Sequence, residues 1–214
     1  MPAADAHAAR GASAAANVGS RRARSDGGIA VPCGNETAKA RPWLFDQLRD
    51  RYEHPLEVEA YERQVARGLL AEERAIVDLA LPARSRVLVL GCGAGREAFA
   101  LEAMGHAVTG ADISREMLKA AKRHGAMRRS SVTWVWMPDP LKVPLADASF
   151  DAVVAFAQLL SHIPGADARV ALLAEVRRVL RGRGIFVASF TTRRAMREFT
   201  GEAKESPGDG ARIR

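Results

Sequence analysis

A doubly wound α/β domain with a mostly parallel sheet is the fold class this sequence predicts, and three observations predict it. Short apolar runs with little alternation recur at residues 86–90, 107–111, 132–136, 152–157 and 185–190, the pattern of strands covered on both faces. Helix-forming stretches separate them at 96–104, 115–124 and 166–180, so strand and helix alternate as in a parallel sheet with crossover helices. The first run leads straight into a glycine-rich turn, Leu90-Gly91-Cys92-Gly93-Ala94-Gly95, which opens the first of these helices.

The segments before the first strand divide in two. Residues 1–40 show no helical or strand periodicity and end in a Gly/Pro-bearing stretch, so they read as a disordered leader outside the fold. Over 41–82 the apolar positions Leu44, Leu48, Val58, Tyr61, Val65, Leu69, Ile76 and Leu79 recur at mostly helical spacing, interrupted by Pro55 and closed by Pro82. This part reads as a cap of two or three helices. The α/β domain itself is expected over 83–190, followed by a charged tail at 191–214. No apolar run follows 185–190, so the sheet is expected to stop early, with its carboxyl-terminal strands missing or truncated and one edge exposed.

Composition narrows the function classes. Hydrophobic residues make up 48% and charged residues 27% of the 214 residues, ordinary values for a globular protein, and no apolar stretch approaches the length of a membrane span. The leader lacks the continuous apolar segment of a secretory signal. Cys33 and Cys92 offer neither a disulfide framework nor metal-ligand spacing, so no metal is expected and the cytoplasm is the expected compartment. The net charge of +7 is concentrated at the ends: residues 1–41 carry six Lys/Arg against three Asp/Glu, and 191–214 carry six against four. A nucleic-acid groove needs its charge on the folded part, so nucleic acid is an unlikely partner.

The glycine turn is the first candidate site. Gly91, Gly93 and Gly95 let the backbone turn tightly, and the helix start offers unpaired N–H groups to a nucleotide-like ligand. A dinucleotide fingerprint needs a third Gly or Ala three positions after Gly93, where this chain has Arg96, which argues against a nicotinamide dehydrogenase. Asp112 closes the second strand. Carboxyl ends of neighbouring parallel strands face one crevice, so its carboxylate is placed to accept hydrogen bonds from ribose hydroxyls; its alternative role is to cap the helix that starts near Ser114.

Four segments in order, LGCGAGR from Leu90, VTGADIS from Val108, PDPLKVPLADASFDAVV from Pro138 and LLAEVRRVLRGRGIFVAS from Leu172, resemble the class I S-adenosylmethionine-dependent methyltransferases, especially the small-molecule enzymes. The resemblance implies S-adenosylmethionine as cofactor. It implies that Gly91, Cys92, Gly93 and Gly95 pass under its methionine part and ribose, that Asp112 holds the ribose hydroxyls and that Ile113 packs on the adenine. Asp139 would accept from the adenine amine, with Pro140 and the backbone of Leu141 at the ring edge; read alone, Asp139 and Pro140 make a simple turn. Trp134 and Trp136 share a strand face beside this region and fit sheet packing better than a cofactor wall. The chain departs from the family pattern at Val89, where an acidic residue is common, at Arg181-Gly182-Arg183-Gly184, which replaces a Lys-Pro-Gly-Gly turn, and in the absence of two further strands.

Methyl transfer from a sulfonium is an in-line displacement that chiefly needs alignment and exclusion of water. His162, just past the fourth strand, is the candidate base for a protonated acceptor, and Gln158 a candidate contact to the cofactor's methionine part or the acceptor. The chain lacks the Asn/Asp-Pro-Pro-aromatic motif of enzymes that methylate base amines, having Ala155-Phe156-Ala157-Gln158 instead, and offers no free nucleophilic cysteine for pyrimidine carbon methylation. A small molecule accepting at oxygen, nitrogen or sulfur is the expected substrate, with Tyr52 and Tyr61 of the cap either a lid over it or plain packing. A non-catalytic methyltransferase-like binding module is the leading alternative, and an RNA methyltransferase a weaker one.

Overall fold

The computed structural model describes residues 42–190. The leader, with Cys33, and the tail after Phe190 lie outside the described residues. The described part begins with the helices α1 (Pro42–Glu53), α2 (Pro55–Gln64) and α3 (Ala71–Ala80), with a 3-10 turn at Val65–Arg67 between the last two. Pro55 is the first residue of α2, where its missing N–H costs nothing, and His54 caps the helix by accepting from the Leu56 N–H through Nδ1 at 3.3 Å. At the start of α3, the Glu73 carboxylate reaches back to the Leu70 N–H at 2.8 Å.

The α/β part then runs β1 (Arg86–Leu90), α4 (Arg96–Ala103), β2 (Ala107–Asp112), α5 (Arg115–Arg128), β3 (Thr133–Trp136), β4 (Phe150–Ala155), α6 (Leu159–His162), α7 (Ala166–Val179) and β5 (Leu180–Ala188). All strand pairs are parallel, in the order β3-β2-β1-β4-β5. The chain therefore winds one way from β1 to β3 and the other way from β4, leaving a switch point between β1 and β4 at their carboxyl ends. The sheet is Rossmann-like.

Central strands read as buried because they are. Val87, Leu88, Val153 and Val154 are fully enclosed. Their alternation divides the interior into two layers: Val87, Val89, Ala152 and Val154 pack with Leu101, Met117 and the cap residues Val58, Val65 and Val77. Leu88, Leu90 and Val153 pack with Leu172, Val176 and Val179 of α7 and with Phe45 of α1.

Several boundaries differ from the sequence reading. The fourth strand ends at Ala155 rather than 157, because Ala157 and Gln158 both adopt left-handed backbone, φ 49° and 61°. The short helix α6 follows, and His162 is its last residue. The fifth strand starts at Leu180, five residues early, and takes in Arg181-Gly182-Arg183-Gly184. Its pairing is irregular there: Phe150 faces Leu180, and the next pair is Ala152 with Ile185. Among the described residues, no helix is long and apolar enough to cross a membrane.

Candidate functional site

The glycine turn leaves β1 along the end of β2. Gly91 and Cys92 both donate backbone N–H groups to the Ala111 carbonyl, at 2.8 and 3.1 Å. Gly91 and Gly93 have positive φ, 68° and 50°, a conformation that costs glycine little and other residues much. The bend brings the Gly93 N–H within 2.8 Å of Asp112 Oδ2, while Asp112 Oδ1 accepts from the Ser114 N–H at 2.8 Å. The carboxylate therefore joins the glycine turn to the start of α5. Burial pushes Asp112 above the ordinary carboxylate range, and the N–H groups of Ser114, Gly93 and Ile113 oppose that rise. Ser114, not Asp112, is the helix cap, its hydroxyl accepting from the Met117 N–H at 3.1 Å.

Beyond these residues, at the switch point, lies a cleft with about 700 Å³ of empty space, part of it open to solvent. Gly91, Gly93, Asp112, Ile113, Pro140 and His162 all line it. The cap supplies Leu48, Tyr52 and Tyr61, and the turn after β4 supplies Phe156, Ala157 and Leu159. Among the described residues, no Lys or Arg contributes to this wall.

The cover rests directly on the glycines. A Cβ at Gly91 would come within 2.7 Å of Leu159 Cδ1, and one at Gly93 within 3.1 Å of Tyr61 Cδ1. Tyr52 stands edge-on to both Tyr61 and His162, with ring centroids 5.8 and 6.1 Å apart. Its carbonyl accepts from the Ser114 hydroxyl at 3.0 Å, which fixes α1 to the residues beside Asp112. Burial, with the neighbouring Tyr52, raises the Tyr61 phenol above its ordinary pKa. His162 is lowered by burial and by the Arg51 cation, so its imidazole is neutral at pH 7.

The other sequence candidates are placed differently. Cys92 points into the core, its thiol raised well above the ordinary value by burial. Gly95 does not line the cleft: at φ 97° it begins α4, and a Cβ there would meet Phe99 and Trp134 at 2.7 and 2.8 Å. Gly110 is crowded by the same Trp134 ring, so these two glycines make room for an indole in the sheet. Trp136 donates to the Ile113 carbonyl at 3.0 Å and carries the Arg115 guanidinium 3.5 Å above its ring. The exposed Asp139 side chain closes a turn by accepting from the Leu141 N–H at 2.8 Å. Leu141 packs on the α7 side of the sheet, and Gln158 is exposed and does not line the cleft. Sequence alone does not mark Tyr61, Phe156 and Leu159 as cofactor contacts; their only signal is an apolar residue near an expected strand end or on an amphipathic helix.

Arg96, where a dinucleotide fold has its third glycine, has a structural task. Its guanidinium makes a bidentate pair with Glu73 at 2.7 and 2.9 Å, and also reaches Glu97 and the Gly68 carbonyl. This ties α4 to α3 and the turn before it.

Comparison with known proteins agrees with this geometry. The model of a family described as "Methyltransferase domain" matches residues 88–188. YqeM of Bacillus subtilis (strain 168), placed by its name among methyltransferases, is 31% identical over 111 residues, covering 52% of this chain and 44% of its own. The solved structure of a Pyrococcus horikoshii OT3 protein superposes with a TM-score of 0.52 at 27% identity, covering 75% of this chain and 65% of that one. That of the CcbJ methyltransferase from Streptomyces caelestis gives 0.49 at 30% identity, covering 54% and 46%. The chain thus spans less than two thirds of these relatives. The strand order, the glycine turn at the switch point and these likenesses point the same way: residues 88–188 are similar to a methyltransferase domain, and the fold is the Rossmann-like one of the class I S-adenosylmethionine-dependent methyltransferases.

Proposed function

We propose that the protein binds S-adenosylmethionine in the switch-point cleft and transfers its methyl group to an oxygen, nitrogen or sulfur atom of a small-molecule acceptor. The observation that carries this reading is the Gly93–Asp112 contact at the cleft lip. The residues present fit the cofactor. Glycine at 91 and 93 gives the turn no side chains of its own beneath the cleft, with Leu159 and Tyr61 lying over it, and each Asp112 oxygen accepts from one backbone N–H, leaving acceptor capacity for ribose hydroxyls. Gly91, Gly93, Asp112, Ile113 and Pro140 would hold it, Cys92 would contribute its backbone, and Asp139, Leu141 and Gln158 would border its two ends.

When bound, the cofactor supplies a sulfonium-activated methyl group. The chain supplies alignment and dryness. Tyr52, Tyr61, Phe156 and Leu159 enclose the space next to the turn, which holds an acceptor in line and keeps water out. His162, neutral at pH 7 and on the same wall, can take the acceptor's proton. A wall with no Lys or Arg among the described residues favours an acceptor that carries no phosphate or carboxylate at the reacting end.

Incubation with S-adenosylmethionine labelled on the methyl group, against a panel of small phenols, amines and thiols and a structured RNA, tests the assignment. Label on a small acceptor is expected. Label on RNA alone, or tight cofactor binding with no transfer to any acceptor, contradicts it in favour of a nucleic-acid enzyme or a binding module.

A further inference from the structure

The Arg-Gly-Arg-Gly segment that departs from the family pattern has no part in the cleft. It lies at the opposite end of the sheet, where the amino ends of β1, β4 and β5 border a second cavity with about 670 Å³ of empty space, open on one side. Arg84, Ser85, Asp151, Arg181, Arg183 and Gly184 are in its wall.

Charge in this cavity is unbalanced. Among the described residues Asp151 is its one carboxylate, and both its oxygens are engaged: Oδ1 by the Arg181 guanidinium and Oδ2 by the Arg86 N–H at 2.8 Å. Arg84 and Arg183 have no carboxylate partner among the described residues. The backbone is irregular at both, and both line the cavity. Between the pairs Phe150–Leu180 and Ala152–Ile185, β4 advances two residues while β5 advances five, so the arginine-glycine stretch bulges from the sheet. Arg84 is itself held at φ 56°, in the left-handed region that arginine seldom adopts.

We infer that this cavity is a binding site for a small phosphorylated ligand, a phosphate monoester or pyrophosphate, gripped by Arg84 and Arg183. Guanidinium groups offer paired N–H donors that match phosphate oxygens, and a dianion there restores the local balance. A small ligand is favoured over a polymer because positive charge does not continue along the domain: residues 42–190 carry 20 Lys/Arg against 18 Asp/Glu. A nucleic-acid backbone needs a basic stripe. The site is separated from the cleft by the length of the strands, so it adds a second ligand to the protein.

The test is calorimetric titration of the full chain with sodium pyrophosphate at ionic strength held constant with sodium chloride, alongside a 12-nucleotide single-stranded RNA. Saturable one-to-one pyrophosphate binding is expected, weakened at least tenfold in Arg84→Gln/Arg183→Gln with S-adenosylhomocysteine affinity unchanged. Should the double variant fail to fold, the exposed single variant Arg183→Glu is expected to show the same loss. No saturable pyrophosphate binding, or equal affinity in the folded variants, overturns the site. RNA binding tighter than pyrophosphate and lost in the variants overturns the small-ligand assignment.

Discussion

Arg96 and Glu73 meet in a bidentate ion pair, N–O 2.7 and 2.9 Å, with Glu97 on the same guanidinium and all three side chains at most 12% exposed. The pair fastens the helix that follows the glycine turn to the cap helix α3. Removing the cation leaves two buried carboxylates without a counter-charge. Arg96→Ala is therefore expected to destabilise the fold by about 3–5 kcal/mol, read as a drop in the urea midpoint. Glu73→Gln/Arg96→Met, which removes both charges of the pair, is expected to recover part of that loss.

The Asp112 carboxylate holds two backbone N–H groups, and the proposed function adds a ribose to them. Asp112→Ala is expected to weaken S-adenosylhomocysteine binding by about 1–3 kcal/mol, since a charged acceptor is lost. Asp112→Asn keeps one carbonyl acceptor and should fall between. Titration of the three proteins checks the order, and unchanged affinity in Asp112→Ala removes the ribose role.

Gly93 combines φ 50° with the Tyr61 ring 3.1 Å from a virtual Cβ. A branched side chain there is strained and collides with the cleft cover. Gly93→Val is expected to abolish detectable cofactor binding; normal affinity would place the site elsewhere.

Two histidines set a pH dependence. His106 accepts the Ser85 N–H on Nδ1 at 3.2 Å, and burial lowers its pKa; His162 is lowered by burial and by Arg51. A folded-state pKa below the unfolded one means that the unfolded chain takes up protons first. Stability is then flat above pH 7 and falls as pH drops through about 6.5, the ordinary imidazole value. Burial of Glu97 and Asp112 raises their pKa values and acts in the opposite sense, so the comparison is of wild type with His106→Gln. Urea midpoints at pH 7.5 and 5.5 are expected to differ less in the variant. For catalysis, His162→Ala is expected to lower kcat about 10²-fold or more if it serves as the base; unchanged turnover removes it from the chemistry.

What the sequence made legible follows from local physics. The five strands, the glycine turn and Asp112 are encoded within short windows, by unalternating apolar runs and by spacing along one βαβ unit. The cover of the site is not. Tyr61 and Leu159 reach Gly93 and Gly91 through contacts between distant segments, and nothing in their own neighbourhoods distinguishes them from core residues. Gly95 reads as a ligand-facing glycine, yet its space is taken by Phe99 and Trp134. The left-handed pair Ala157–Gln158 carries no glycine to announce it, so the fourth strand was read two residues too long. The bulge at Arg181–Gly184 depends on pairing register, which the sequence does not display.

The central claim is that the cleft at the β1–β4 switch point takes S-adenosylmethionine. Calorimetric titration of the full chain with S-adenosylmethionine and S-adenosylhomocysteine, with NAD as control, tests it most directly. Saturable one-to-one binding of both sulfur compounds and none of NAD is the predicted result. A folded sample that binds neither, or that binds NAD in preference, contradicts the account.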